Sequence, residues 1–324
     1  MRLRTSFVAS VVMALACGMS LYGQSASRAG ASAAQSGNAK AGTVLRVPVL
    51  ELDPPMDAAA FQATANGNKA KVVAAKGPAS DLVVLLVLDL TGEINLIDTA
   101  RGVLAQMLPE TPPNVWFAVL KAQDALEVLV DPTADREKVI AAIQNYGATG
   151  KAALLDTIEP SLRLGDAMLR KSSARVAVLY ITDSNITNYR EDFTNPVINA
   201  TDAGDLSRKF PGALIREKIE KLTSSIAPFQ APFFFVHLSY FSDPYNEAYQ
   251  RGLLQLASES GGAGSFCRSP GEIPPAVERV LKSVESHWSV SVQLPADMRA
   301  RTVNILLTNQ DRAVPGHVRF LLRR

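Results

Sequence analysis

The chain has 324 residues, of which 47% are hydrophobic and 20% are charged, an ordinary balance for a globular protein that argues against disorder over its whole length. Its 33 Lys and Arg face 31 Asp and Glu, so the net charge is +2 and no broad basic field points to nucleic acid. Two Cys and three His, without HExxH spacing, exclude a cysteine-rich zinc site and a disulfide framework.

Residues 1–25 are typical of a secretory signal peptide. Two arginines precede an apolar run from Phe7 to about Tyr22, and small and polar residues follow it. A run of that length is short for a membrane span and fits the apolar core of a signal peptide. Residues 26–43, rich in Ala, Ser and Gly, are predicted to form a flexible linker. We therefore expect a secreted or periplasmic protein.

A lipid anchor is the alternative for this end of the chain. Acylation would need Cys17, and the preceding Ala14-Leu15-Ala16 is a weak match to a bacterial lipobox, which prefers Leu at the first of these positions. Cleavage near Gly23 would leave Cys267 as the one cysteine, so no internal disulfide could form.

Apolar runs alternate with amphipathic segments from about residue 82 to residue 287. Continuous β-branched runs predict strands that are buried on both faces, as parallel sheets require. The predicted strands are Leu82–Asp89, Val115–Leu120, Ala125–Val130, Ala174–Thr182, Pro232–Leu238 and a short one at Phe266. The predicted helices are Ile94–Leu108, Asp135–Tyr146, Leu154–Leu169, Gly212–Ile226, Tyr245–Ser258 and Ile273–Glu285.

This order predicts an α/β domain over residues 82–287, with a doubly wound, mostly parallel, Rossmann-like sheet. The short turn at Gln123-Asp124 predicts a hairpin and one antiparallel edge strand. The flanking segments, residues 44–81 and 288–324, alternate apolar and polar residues, and we expect them to form one small antiparallel β unit. Its predicted strands are Val44–Leu52, a short one at Val72-Val73, Trp288–Leu294, Thr302–Leu307 and His317–Leu322.

Two acidic residues fall where ligands bind in open α/β sheets, beyond the carboxyl ends of the strands. Asp89 ends the first strand of the domain, in the sequence Asp-Leu-Thr-Gly-Glu. Asp183 ends the fourth strand, in the sequence Thr-Asp-Ser. Parallel strands end at one edge of the sheet, so both carboxylates are predicted at the same place.

With these landmarks the chain resembles von Willebrand factor type A (VWA) domains, in particular those of bacterial secreted VWFA-related proteins. The resemblance covers about residues 82–287 and depends on element order together with Asp89 and Asp183. It extends to Phe61 and the turn Asn66-Gly67-Asn68-Lys69, which is similar to a segment that precedes the domain in that group. The resemblance implies a VWA-like fold and a role in binding other proteins.

The family's metal-ion-dependent adhesion site (MIDAS) combines an Asp-x-Ser-x-Ser loop, a Thr from a second loop and a further Asp. A hard dication such as Mg²⁺ prefers such oxygen ligands. In this chain Glu93 replaces the second Ser, and alignment of the second loop on Asp156 puts Ala152 at the Thr position. The ligands that the resemblance implies are Asp89, Thr91, Glu93, Thr149 and Asp183.

The metal site is therefore predicted to be degenerate. Mg²⁺ binding is one interpretation, and no cofactor is firmly predicted. In the other interpretation, Asp89 and Asp183 cap the segments that follow them and hold loop backbones.

Residues 184–211 form a long polar segment after the fourth strand of the domain, on the side of the two carboxylates. Long loops in compact domains are often functional. Tyr189, Arg190 and Phe193 supply the aromatic and Arg side chains that are enriched in binding hot spots, and we expect them to contact a partner. A disordered insertion is the alternative.

The first functional hypothesis is a non-enzymatic protein-binding module with a degenerate MIDAS and an unidentified protein partner. One alternative is a metal-dependent hydrolase that uses Asp89, Glu93 and Asp183, and another is a lipid-anchored envelope assembly factor. No catalytic residue is predicted, because the sequence has no Gly-x-Ser-x-Gly elbow and His237 lies inside a predicted strand. Neither a nucleic-acid partner nor a membrane span of the mature chain is predicted.

Overall fold

A computed structural model describes residues 43–52, 55–185, 211–296, 298 and 300–322. The strands are β1 (Val44–Val49), β2 (Phe61–Ala65), β3 (Asn68–Lys76), β4 (Leu82–Asp89), β5 (Val115–Gln123), β6 (Ala125–Thr133), β7 (Arg175–Thr182), β8 (Phe233–His237), β9 (Gly264–Phe266), β10 (Trp288–Gln293), β11 (Thr302–Asn309), β12 (Arg312–Ala313) and β13 (Arg319–Leu321). The helices are α1 (Ile94–Met107), α2 (Arg136–Gln144), α3 (Leu154–Lys171), α4 (Pro211–Ile226), α5 (Pro244–Ser260) and α6 (Ile273–Ser286).

Several predictions made from the sequence lie outside the described residues. They are the signal peptide, Cys17, nearly all of the linker, and the three partner-binding residues Tyr189, Arg190 and Phe193. Within the described residues, no helix is both long enough and apolar enough to cross a membrane.

The α/β part of the chain contains a six-stranded sheet in the order β6-β5-β4-β7-β8-β9. Every neighbouring pair is parallel except β5 and β6, which form an antiparallel hairpin at the edge. Asp124 occupies the hairpin turn with a φ of 57°, in the left-handed region that Asp tolerates. The predicted α/β fold class and the antiparallel edge strand are confirmed.

Helices cover both faces of this sheet because the central strands are apolar on both sides. Along β4, Leu82, Leu86 and Leu88 point toward α1, α2 and α6. Leu85 and Val87 of the same strand point the other way, toward α3, α4 and α5. Each fully buried Leu or Val contributes about 1.5–3 kcal/mol relative to exposure. The two cores make the sheet rigid and fix the positions of its strand ends.

The flanking segments form a second, antiparallel sheet in the order β1-β10-β3-β2-β11-β12, with β13 also paired to β11. The predicted pairing of the N-terminal strand with the tail is confirmed by β1 and β10. The prediction missed β2 and most of β3, which form a hairpin. Asn66 and Gly67 turn it with φ values of 49° and 81°, as a two-residue turn with two positive φ angles requires.

The chain passes between the two sheets at two crossovers, one from β3 to β4 and one from α6 to β10. Arg175, fully buried at the start of β7, contacts both. Its Nη1 donates to the carbonyl oxygens of Glu285 and His287, at 2.7 Å each. Its Nη2 donates to the carbonyl oxygens of Pro78 and Ser80, at 3.0 Å each. One side chain therefore ties both crossovers to the parallel sheet.

We expect Arg175→Met to lower the free energy of unfolding by at least about 2 kcal/mol, because it removes the Arg175 hydrogen bonds to the carbonyl oxygens of Glu285 and His287. The carbonyl oxygens of Pro78 and Ser80 keep the Asn114 side-chain amide as a donor. Urea unfolding measures this loss. Arg163→Met is the matched control, since Arg163 lies on α3 with a side chain that is 63% exposed and pairs with Glu159. Exposed pairs contribute about 0–1 kcal/mol. Equal losses in the two variants would contradict the role given to Arg175.

Candidate functional site

The candidate site lies at the carboxyl edge of the parallel sheet, where β4, β7 and β8 end side by side. Asp89 is the last residue of β4, and Asp183 directly follows β7. The backbone N–H of Asp183 donates to the carbonyl oxygen of Asp89 at 3.2 Å. Both side chains are buried. The structure thus brings together the two acidic residues that the sequence places at strand ends.

Asp89 is held by three hydrogen-bond donors. Its Oδ1 accepts from the backbone N–H of Ala153 at 3.0 Å. Its Oδ2 accepts from the Thr182 hydroxyl at 2.7 Å and from the Ser184 hydroxyl. Burial raises the pKa of Asp89 to about 6, while these three hydrogen bonds oppose the rise. A carboxylate offers about four acceptor positions, so three of those on Asp89 are already used.

Asp183 holds the loop that connects β4 to α1. Its Oδ1 accepts from the backbone N–H of Thr91 at 2.9 Å, and its Oδ2 accepts from that of Gly92 at 2.7 Å. A Cβ atom on residue 92 would lie 2.8 Å from Asp183 Oδ2, so a side chain at this position would displace the carboxylate. Burial raises the pKa of Asp183, and the two backbone hydrogen bonds lower it. The carboxylate acts on the loop backbone, as the second interpretation of the sequence expects.

Of the other implied metal ligands, Thr91 contacts Asp183 through its backbone N–H. Glu93 and Thr149 are exposed, and Thr91 is half-buried. Ala152, at the position of the family's Thr, is buried and pairs with Gln123 in an isolated β-bridge. Its methyl group offers no oxygen to a metal. Among the described residues, no group of three or more His, Cys, Asp or Glu is placed to hold a metal ion. The residues present do not fit a MIDAS-type Mg²⁺ centre.

Two side chains that the sequence analysis did not assign to the site fix the backbone around Asp89. The Tyr146 hydroxyl donates to the carbonyl oxygen of Leu88 at 3.2 Å and accepts from the N–H of Leu90 at 3.3 Å. Gln123 Nε2 donates to the carbonyl oxygen of Leu90 at 2.7 Å. Both are polar side chains at the end of apolar segments, which is the one sequence signal that could have indicated them.

His237, at the end of β8, is a neutral structural residue. Its Nε2 donates to the carbonyl oxygen of Ser184 at 2.5 Å, and its Nδ1 accepts from the N–H of Ser239 at 3.2 Å. Burial lowers the pKa of His237 to about 4. Both ring nitrogens are therefore occupied by backbone groups, and the buried Ser184 hydroxyl points to Asp89 rather than to the imidazole.

Exposed apolar and aromatic side chains lie along the same edge of the sheet as the two carboxylates. Ile94, the first residue of α1, is 70% exposed, and Tyr240, in the loop after β8, is 38% exposed. The Arg268 guanidinium lies 5.4 Å from the centre of the Tyr240 ring, and the Phe266 ring lies 5.9 Å from it. All of these residues follow carboxyl ends of parallel strands, so they share the edge with Asp89 and Asp183.

No protein-family model and no curated protein matches the chain. Solved structures do match. A von Willebrand factor type A protein from Catenulispora acidiphila is 12% identical, with a TM-score of 0.40, over 89% of this chain and 75% of that one. Proximal thread matrix protein 1 from the mussel byssus, with a zinc-occupied MIDAS motif, is 14% identical, with a TM-score of 0.42, over 67% of this chain and 49% of that one. The SpRpn10 VWA domain is 13% identical, with a TM-score of 0.37, over 62% of this chain and 95% of that one.

The matched structures include VWA domains, the family that the sequence resembles. The chain spans about half the length of the mussel protein. Because each of these TM-scores lies below 0.5, the fold class rests on this chain's own strand order and its two helical layers.

The raised pKa of Asp89 predicts a pH-dependent stability difference between the protein and Asp89→Asn. The folded chain holds the Asp89 proton more tightly than the unfolded chain. The contribution of this group to the free energy of unfolding is therefore fully present below about pH 4 and is lost as the pH rises through about 6. Asn does not ionise. We expect the stability of the variant relative to wild type to increase by up to about 3 kcal/mol between pH 4 and pH 7.

Urea unfolding at a series of pH values measures this difference. Asp98→Asn is the control, because Asp98 is an exposed residue of α1, and its curve is expected to run parallel to wild type. A difference between Asp89→Asn and wild type that stays constant from pH 4 to pH 7 would contradict the prediction.

Proposed function

We propose that this chain is a secreted or periplasmic protein-binding module, whose VWA-like domain contacts a partner protein through the carboxyl edge of its parallel sheet. The observation that carries the proposal is that exposed apolar, aromatic and Arg side chains, at Ile94, Tyr240 and Arg268, follow strands that end at this edge. Such residues dominate binding energy in protein interfaces. Tyr189, Arg190 and Phe193, in the segment that follows β7, are part of the proposed surface.

Binding is favoured over hydrolysis by how the polar groups are used. A metal-dependent hydrolase built on Asp89, Glu93 and Asp183 would need three carboxylates that converge on one ion. Here Glu93 is exposed, while Asp89 and Asp183 accept hydrogen bonds from the protein itself. His237 offers no free ring nitrogen to act as a general base.

The proposed module binds its partner without a metal ion, because the MIDAS is degenerate. We expect calorimetric titration of the wild-type protein with Mg²⁺ or Mn²⁺ to give no saturable heat. The double substitution Glu93→Ser and Ala152→Thr restores the family pattern of hydroxyl ligands, and we expect saturable binding to appear in that variant. Saturable binding by wild type that is lost in both Asp89→Ala and Asp183→Ala would refute a metal-independent site.

Site-specific photo-crosslinking in the native cells tests the binding surface. A photoreactive amino acid at position 94 or 240 is expected to capture one and the same partner protein. Leu254, on α5, is the matched control, since it is also an exposed apolar residue, 44% exposed. If position 254 captures the same protein with equal yield, or if positions 94 and 240 capture none, the carboxyl edge is not the binding surface.

A further inference from the structure

The outer face of the antiparallel sheet carries apolar side chains at positions where its pattern calls for polar ones. Along β11, Val303, Ile305 and Leu307 point into the core, so the residues between them point outward. Leu306 is one of these outward residues, and it is 62% exposed. Val73 of β3 is also exposed. These two apolar side chains lie on different strands of one outer face, so what else this face carries decides what it can bind.

Positive charge lies beside these apolar residues. The register pairs Leu306 with Thr64 and Thr64 with Lys69, so these three residues form one row across β11, β2 and β3. Along β3, Lys69, Lys71 and Val73 occupy every second position and share the outer face. The two lysines are therefore about 7 Å apart along the strand.

An open groove of about 820 Å³ runs over these strands. Hydrogen-bonding side chains line it, and its two charged lining residues are both lysines. The lining residues include Gln62, Thr64, Lys69, Lys71, Leu306 and Thr308. The groove thus combines positive charge, hydrogen-bonding groups and an apolar contact, and no carboxylate of the described residues lines it to neutralise the lysines.

We propose that this groove binds an extended, acidic peptide segment of a partner protein, lying along β3. In an extended chain, alternate side chains lie on one face and are spaced about 7 Å apart, which matches the spacing of Lys69 and Lys71. Carboxylates at alternate positions of the segment pair with the two lysines, and an apolar residue at the next alternate position contacts Val73 of β3. The proposal concerns a different sheet from the carboxyl edge and does not depend on the function proposed for that edge.

A labelled peptide tests the proposal with the purified full chain. In this peptide Glu, Glu and Leu occupy alternate positions and Thr separates them. We expect saturable binding by fluorescence anisotropy at low salt, weakened when Gln replaces Glu. The double variant Lys69→Glu and Lys71→Glu should raise Kd at least about tenfold, and Val73→Ser should raise it several-fold.

Lys138→Glu with Lys171→Glu is the matched control, because it makes the same change in net charge at exposed lysines of α2 and α3, outside the groove. We expect its Kd to stay within about twofold of wild type. Equal weakening in both double variants would mean a general charge effect and would overturn the proposal. Two other results would also overturn the proposal. One is lysine-dependent binding to phosphatidylglycerol vesicles when the peptide does not bind. The other is a dimer, detected by analytical ultracentrifugation, that Leu306→Ser abolishes while the peptide fails to bind.

Discussion

The charged guanidinium of Arg175 is buried, and it donates hydrogen bonds to four backbone carbonyl oxygens. Burial lowers the pKa of Arg175 to about 10, which still leaves the side chain charged at neutral pH. A buried charge is tolerated when hydrogen bonds satisfy it. The planar guanidinium fork reaches several acceptors at once, whereas the single ammonium of Lys could not bridge two crossovers. The antiparallel sheet is thereby held against one end of the parallel sheet.

Further contacts at the same end extend this attachment. Arg46 of β1 donates to the carbonyl oxygens of Ser172 and Ala174, in the turn that leads into β7, and Lys76 of β3 donates to that of Ser173. At its other end, β7 carries Thr182, whose hydroxyl holds Asp89, and is followed by Asp183, which holds the loop before α1. One strand therefore connects the crossover clamp to the carboxyl edge. Hydrogen bonds from the protein itself hold both carboxylates in place there.

The sequence predicts those parts of the structure that depend on long apolar runs. β4, β7 and β8 are buried on both faces, and each appears in the sequence as an uninterrupted apolar segment. β2 was missed because Phe61–Ala65 fills its inward positions with Phe and two small Ala residues, which gives a weak strand signal. Small side chains suffice there because the Phe61 and Trp288 rings, 5.5 Å apart, fill the core beside them.

The candidate site was predictable in its residues but not in how they interact. Strand-end position alone places Asp89 and Asp183 together. The groups that satisfy them are chiefly backbone N–H groups of Thr91, Gly92 and Ala153, and a backbone donor leaves no trace in a sequence pattern. The replacement of a hydroxyl ligand at Ala152 is visible in the sequence, whereas the backbone N–H groups that donate to the two carboxylates are visible only in the fold.

The two proposed binding surfaces lie toward opposite ends of β7. The carboxyl edge follows Thr182, whereas the antiparallel sheet attaches near Arg175, and the strand between these two residues spans about 23 Å. One partner could occupy both if a folded part contacts the carboxyl edge while an extended acidic segment reaches the groove. In that case the second contact would be intramolecular, and the combined affinity would exceed that of either surface alone.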